Sequence, residues 1–397
     1  LISDEIFLSL LLFLFLMSFY MLFYSTAPAS RFIGEGHVKI EILNNLLDEG
    51  TIGLDGPSQA VPGRDGKYYT WHDFGQNIFV LPVFVFTRGI LDAFAFFFAN
   101  SVFTSLSALI LFRLLMLAGY RPWASLSTSL VFGVATFAFF YAAKAPFEHP
   151  IANFFALGSF YFMARLYYGG SRKNILVAAL LLGFGIITRA DIILTTLPLL
   201  VLYAGSRGRS GREWKDLSLV VFVLLPFLVF ILFYNYVRFE NIFVTGYAMA
   251  NKKETLFSLG NIPMGLAGFL VSPGRSIFVF SPVLVAALFY LKDFKRHVNK
   301  RFFQACVGMV SIYILFFSAF FAWDGEWCWG PRYILIVVPF MLMPLASFFE
   351  SWDRRKALEK AAVIISVIVS ALVQFLPAAS NFVGGLAAKY VVYNEGY

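Results

Sequence analysis

Charge is the scarcest commodity in this sequence. Only 14% of its 397 residues are Asp, Glu, Lys or Arg, against about 25% in an ordinary soluble domain. Cysteine is nearly missing too. The two present, Cys306 and Cys328, have no metal-ligand spacing, and a disulfide between them is not expected. No Gly-rich phosphate loop occurs, no run of basic residues suggests a nucleic-acid partner, and no internal repeat of the transporter kind is visible. These shortages exclude a nucleotide-binding domain, a disulfide-stapled secreted domain and a solvated disordered chain. Apolar residues make up 59% of the chain and aromatics 19%, with a mean hydropathy of +0.76. A water-soluble enzyme of this length is excluded with them. The apolar residues come in long runs rather than in the period-two alternation of a membrane barrel, which predicts an all-α, polytopic membrane protein.

Runs long enough to cross a bilayer, or nearly so, fall at 6–24, 90–118, 123–143, 150–168, 174–188, 191–205, 217–237, 276–291, 302–322, 334–349 and 361–380. That predicts about eleven spans. No small-residue cleavage pattern follows the first run, so it reads as a retained span. The short loops 119–122, 169–174, 205–216, 292–301 and 350–360 then share one side and hold about half of the chain's 31 Lys and Arg. The positive-inside rule makes that side cytoplasmic and puts the long loops 25–77, 238–275 and 323–333 outside, along with 144–149 and the tail 381–397. An additional crossing at 78–89 would destroy this asymmetry. The segment 76–89 therefore reads as a short helix at the outer leaflet, bracketed by Gly75, Pro82 and Gly89. Residues 1–380 form one membrane domain in this reading, with 381–397 a short tail.

Whatever chemistry the chain performs belongs on the outer face, where the polar residues concentrate. In the first loop, Val38, Ile42, Leu46 and Leu47 have helical spacing and predict an amphipathic helix over 37–49 at the membrane surface, closed by Gly50. Glu35 lies between two glycines where the first span hands over to this helix. It reads either as a solvated acid near a helix N-terminus or as a carboxylate whose basicity the membrane edge tunes. His72 lies near the end of the same loop. In the second loop Lys144, Glu148 and His149 are held by Pro146 and Pro150, and Glu148 reads equally as a helix cap or as a site residue. Arg189 and Asp191 lie between two short spans; they form a structural pair, or Arg189 faces a cavity and meets a lipid-linked phosphate. Trp323, Asp324, Trp327, Trp329, Arg332 and Tyr333 crowd one short loop. An interface belt needs the aromatics but not the charges, so a sugar-binding surface is favoured. Arg275, in Ser272-Pro273-Gly274-Arg275, adds another outer cation.

Several of these stretches together resemble the GT-C class of polytopic glycosyltransferases, which use polyprenyl-phosphate-linked sugars, and in particular protein O-mannosyltransferases and lipid A aminoarabinose transferases. The carriers are Gly34-Glu35-Gly36 with 46–51, then Gly63-Arg64-Asp65-Gly66-Lys67-Tyr68-Tyr69 and Gly75. Further along come Thr188-Arg189-Ala190-Asp191, Tyr234-Asn235-Tyr236-Val237-Arg238-Phe239, Ser272-Pro273-Gly274-Arg275 and Trp329-Gly330-Pro331-Arg332-Tyr333. In that family an acid just after the first span is the catalytic carboxylate. The matching position here is Glu35, where the family often has Asp. The resemblance implies a single, inverting displacement with Glu35 as general base on an acceptor hydroxyl. Arg189, Arg275, Arg332 and Lys144 are the candidates for neutralising the leaving phosphate. Glu148, His149, Asp191, His72 and the Trp323, Asp324, Trp327, Trp329 and Tyr333 cluster are the candidates for holding sugar or acceptor. Expected partners are the lipid-linked sugar, membrane lipids and a glycan, lipid or protein acceptor in the cell envelope, with no nucleic acid. A divalent metal, Mg²⁺ or Mn²⁺, stays open as a cofactor. Many relatives carry a further soluble domain, so acceptor recognition is expected to rest on the membrane part or on a partner. A flippase for lipid-linked saccharides and a non-catalytic assembly subunit remain rival classes.

Overall fold

A computed structural model describes residues 4–24, 35–206, 213–251, 255–325 and 328–380. Gly34, Trp327 and the tail 381–397 lie outside the described residues, so the readings placed on them do too. In chain order the helices are α1 (Asp4–Tyr24), α2 (Glu35–Asp48), α3 (Gly75–Thr87), α4 (Asp92–Leu117), α5 (Pro122–Ala135) and α6 (Ala138–Lys144). Then follow α7 (His149–Tyr167), α8 (Lys173–Thr188), α9 (Thr196–Gly205), α10 (Glu213–Phe239), α11 (Gly246–Ala250), α12 (Ile262–Leu270) and α13 (Ile277–Phe280). The last are α14 (Val283–Phe289), α15 (Leu291–His297), α16 (Lys300–Ser318), α17 (Val338–Leu342), α18 (Leu345–Glu350) and α19 (Ala357–Ala379). Among the described residues, six helical segments are long and apolar enough to cross a membrane, or seven if the bent pair α5 and α6 is one span. The chain is a helical, multi-pass membrane protein.

Every predicted run has helical counterparts, but several are not one continuous α-helix, and two of the breaks show how such interruptions are tolerated. The run 123–143 bends by 57° between α5 and α6. The run 276–291 breaks at Ser281-Pro282 into α13 and α14. In a bilayer the backbone N–H groups freed by such breaks need internal acceptors. Both breaks have them: Phe137 N–H donates to Ser281 Oγ at 3.1 Å, so one break satisfies the other. Val283 N–H donates to Ser370 Oγ of α19 at 2.7 Å.

Long α10, at 27 residues, spans about 40 Å at 1.5 Å per residue. Its apolar residues Val221, Phe222, Leu225, Leu228 and Val229 are exposed, which fits a face turned to lipid. By contrast α4 and α7 pack inside the bundle, and the central core is rich in Phe, Leu and Ala from these helices, α6 and the segment 334–348.

The first loop differs from the all-α expectation. It contains a small antiparallel hairpin, β1 (Ala60–Pro62) with β2 (Tyr68–Thr70), in the register Val61 to Tyr69. Helix α2 starts at Glu35, two residues earlier than the spacing predicted, and ends before Gly50, whose φ of +67° is the left-handed closure expected of it. The apolar face of α2 is not left for the membrane. Val38 and Ile42 pack with Leu54 and Ala60 of the loop, while Leu43 packs with Val80 and Phe84 of α3. Each such side chain contributes about 1.5–3 kcal/mol on burial. Glu35 and Lys39 lie on this same buried face of α2, between Val38 and Ile42 on one flank and Leu43 on the other, so the packing carries them into the bundle.

Candidate active site

Three chain segments meet at Lys39. Its ammonium has three N–H donors, and all three are used. One goes to Glu35 Oε1, one turn back on α2. A second goes to Glu148 Oε2 at 2.6 Å and the third to Gln76 Oε1, on α3, also at 2.6 Å. Gln76 then donates through Nε2 to the carbonyl of Pro146 at 3.0 Å, tying α3 to the loop that carries Glu148. The same loop is held from behind by Asn100 of α4, whose amide donates to the carbonyls of Ala145 at 2.7 Å and Phe147 at 2.9 Å. Glu148 stands at the N-cap of α7, yet its side chain makes no capping bond; the carboxylate goes to Lys39 and Arg189 instead.

Two guanidinium groups close the centre. Arg189 Nη1 is 3.3 Å from Glu148 Oε1 and also meets His149 Nε2, while its Nε donates to Asp191 Oδ1 at 2.8 Å. Both readings of Arg189 are therefore present in one side chain: it pairs with Asp191 and it faces the interior. Arg332 Nη1 is 3.4 Å from Glu35 Oε2, and its guanidinium lies over the rings of Phe147 and Tyr333. Tyr333 stacks on Phe317 and also lies beneath Arg189. Glu35, Lys39, Glu148, His149, Arg189 and His72 are all buried.

His72 is delivered by the hairpin. Arg238 of α10 donates to the carbonyl of Thr70 at 2.8 Å, and the Tyr234 hydroxyl donates to the carbonyl of His72 at 3.3 Å. Asp73 accepts from the N–H of Ala190 at 3.0 Å, which fixes the His72 segment to the Arg189 turn. The Tyr234 to Phe239 motif thus serves to hold this segment in place.

Electrostatics set the two carboxyls apart. Burial first, then the neighbouring Glu148, pushes Glu35 up to about 8, against the pull of Lys39 and Arg332. For Glu148 burial works in the same direction. It is outweighed by Lys39, the hydrogen bond from Glu35, His149 and Arg189, which together hold its carboxyl well below the usual range. The pair shares one proton, which rests on Glu35 near neutral pH. Burial opposes the charge of Lys39, but Glu148 and Glu35 keep its pKa above that of an ordinary lysine. Burial, then the charge of Lys39, lowers His72 to about 3, so its imidazole is neutral. Three cations, Lys39, Arg189 and Arg332, thus stand around the carboxyls Glu35, Glu148 and Asp191.

Glu35, Glu148 and His72 also offer ligand atoms that all lie within 4.8 Å of one another. Neither ring nitrogen of His72 has a hydrogen-bond partner. The donor types suit a divalent metal, but the arrangement does not fit one, because the Lys39 ammonium lies against both carboxylates.

The remaining candidates lie elsewhere in the outer face. Arg275 donates to the carbonyl of Cys328 at 2.7 Å and braces the aromatic loop. Trp323 packs on Gly268 and Phe269, and Trp329 packs edge-on against Phe280 while its Nε1 donates to Gln374 at 3.2 Å. These two rings are wedged between helices, because the loop folds back onto α12, α13 and α19. Asp324 lies in the same turn, and Lys144 is buried at the end of α6. Both cysteines are unpaired. Lys39 and Gln76, central to the site, were not among the sequence candidates.

No family model matches the sequence, and no curated protein matches it. Solved structures do match in fold. ArnT, a lipid A aminoarabinose transferase from Cupriavidus metallidurans, bound to undecaprenyl phosphate, superposes with a TM-score of 0.59 at 15% identity, covering 94% of this chain and 76% of that one. The same protein in the apo state gives a TM-score of 0.54 at 14% identity over the same shares. The archaeal oligosaccharyltransferase AglB from Archaeoglobus fulgidus, in complex with an inhibitory peptide and a dolichol-phosphate, gives a TM-score of 0.55 at 10% identity, covering 94% of this chain and 56% of that one. The chain has the GT-C fold that its motifs imply.

Proposed function

We propose that the protein is an integral-membrane glycosyltransferase that moves a sugar from a polyprenyl-phosphate-linked donor to an acceptor hydroxyl on the extracytoplasmic side, within a bundle of eleven crossings. The observation that carries this reading is the buried pair of carboxyls Glu35 and Glu148, bridged by Lys39 and met by Arg189 and Arg332, in a fold also found in proteins solved with undecaprenyl phosphate and dolichol-phosphate. The three cations Lys39, Arg189 and Arg332 suit a phosphate. So does Arg332 Nε, a buried donor without an acceptor.

In the proposed step the acceptor oxygen attacks the anomeric carbon from the face opposite the phosphate. Its proton passes to Glu35, the new C–O bond forms as the bond to the phosphate oxygen breaks, and polyprenyl phosphate leaves against Arg189 and Arg332. In this reading Lys144 and Arg275 add positive charge that draws the anion in, and Asp324, Tyr333 and His149 meet the sugar or acceptor. A carboxyl near 8 holds its proton firmly enough to act as an effective base and still ionises within the working range of pH. Inversion at the anomeric carbon follows from the family resemblance.

The test is turnover by the purified chain. Incubated in detergent with polyprenyl-phosphate sugars and candidate acceptors, it is expected to release polyprenyl phosphate in step with a glycosylated product. Movement of the intact lipid-linked sugar across vesicles without cleavage would overturn this reading in favour of a flippase.

A further inference from the structure

We propose that Lys39 is a built-in cation standing where a divalent metal would otherwise sit, so that the native centre takes no metal and the loss of Lys39 turns Glu35, Glu148 and His72 into a metal site. Three observations carry this. The Lys39 ammonium is buried and spends every donor on Glu35, Glu148 and Gln76. One of the carboxylates it bridges, Glu148, lies 109 positions from Lys39 in the sequence, so the ammonium joins two parts of the fold as a bridging ion does. Lastly, His72 is buried, with both ring nitrogens unpartnered, and its Nδ1 lies 3.9 Å from Glu35 Oε1.

The chemistry of the donor set explains why removal and replacement should be linked. Two carboxylates and a neutral imidazole are hard and borderline ligands that Zn²⁺ and Mn²⁺ accept. Metal–ligand bonds of about 2.0–2.2 Å place ligand atoms on one ion no more than about 4.4 Å apart, so the observed set needs only small side-chain adjustments. While Lys39 is present, a dication at this position would stand beside an ammonium in a low-dielectric interior, and the repulsion excludes it. Without Lys39 the two carboxyls lose their nearest positive charge and keep only the longer contacts, Glu148 to Arg189 at 3.3 Å and Glu35 to Arg332 at 3.4 Å, which leaves buried carboxylates poorly compensated. A dication restores the balance, and the unpartnered His72 completes the ligand set. This assignment holds whatever the protein transfers, and its test reads metal binding rather than turnover.

The experiment uses the full chain, purified in detergent, stripped with a chelator and titrated calorimetrically with Zn²⁺ and with Mn²⁺. Wild type is expected to show no site that depends on His72, and its melting temperature should not change on adding either ion. Lys39→Ala is expected to bind one equivalent of Zn²⁺. Adding His72→Ala should weaken that binding by more than about tenfold, since even groups outside the first coordination shell are worth that much. If Lys39→Ala does not fold, Lys39→Gln, one atom shorter, keeps a donor while removing the charge, and Zn²⁺ should raise its melting temperature. One equivalent of Zn²⁺ on wild type, lost in His72→Ala, would overturn the proposal. So would a folded Lys39→Ala or Lys39→Gln chain with no response to Zn²⁺.

Discussion

A single proton distinguishes the two acids of the centre, and it makes them testable one at a time. Glu35→Gln keeps size and polarity but cannot take the acceptor's proton, so turnover should fall by about 10²–10⁴ while the chain still folds. The same change at Glu41, half-exposed on the other side of α2, should stay within a few-fold; equal losses at both positions would remove Glu35 from its role. Because a base works deprotonated and burial with Glu148 lifts Glu35 to about 8, kcat/KM should rise with pH through about 8 and fall away below it. A flat profile from pH 6 to 9 would mean that Glu35 is not the group that titrates. Arg189→Ala and Arg332→Ala should each weaken use of the lipid-phosphate donor by about tenfold to a hundredfold, the worth of a charge-assisted bond of about 1.5–3 kcal/mol. Lys at either position should rescue only in part, lacking the planar fork; donor kinetics matching wild type in both Ala variants would leave the two arginines a structural role only. Glu35 and Arg189 were legible in the sequence as charges at membrane edges. Lys39 was not, because a Lys on an amphipathic surface helix is ordinarily solvated. The available signal was its spacing, one turn after Glu35.

Individual elements place these groups through a few close approaches. Gly75 opens α3 against the end of α8, and a Cβ there would lie 2.5 Å from both the Cα and the N of Thr188. Nothing but backbone is present to yield, so Gly75→Val must push α3 away from α8. Gln76 and Arg189 are the next residues on either side of that contact. The expected outcome is a lowered melting temperature together with a loss of activity. The exposed Gly50→Ala, where an added Cβ meets nothing but must adopt a positive φ, should cost only about 1 kcal/mol and leave activity intact. Equal activity in the two variants would show that the α3–α8 contact does not position the centre. The sequence marked Gly75 as a break but could not show what it approaches. Likewise the hairpin went unread, because strands of three residues carry too little periodicity to register. The aromatic loop was read for its composition. Its outcome depends on packing: Gly268 makes room for the Trp323 ring, and Gln374 supplies an acceptor for Trp329.

For the whole molecule, run length and basic-loop bias predicted where helices lie, since crossing hydrocarbon demands long apolar segments whatever their tertiary partners. The breaks at 136–137 and 281–282 were invisible to that reasoning, as an averaged hydropathy does not register a side-chain hydroxyl that accepts a stray N–H. The predicted sidedness can be checked directly. In a background lacking Cys306 and Cys328, a single cysteine at position 296 should be shielded from an impermeant reagent applied to intact cells, and one at position 55 should react. Labelling of position 296 from outside would reverse the topology. The centre itself has a temporal side. Arg332 meets Glu35 across 297 positions of sequence, so the first half of the constellation enters the membrane long before the ribosome reaches the last of it. During synthesis Glu35 and Lys39 must wait, with Glu148 and then Arg189 joining in turn. A chain stopped short of Arg332 would hold an acid without its guanidinium, a defect that membrane quality control could detect without any assay of sugar transfer.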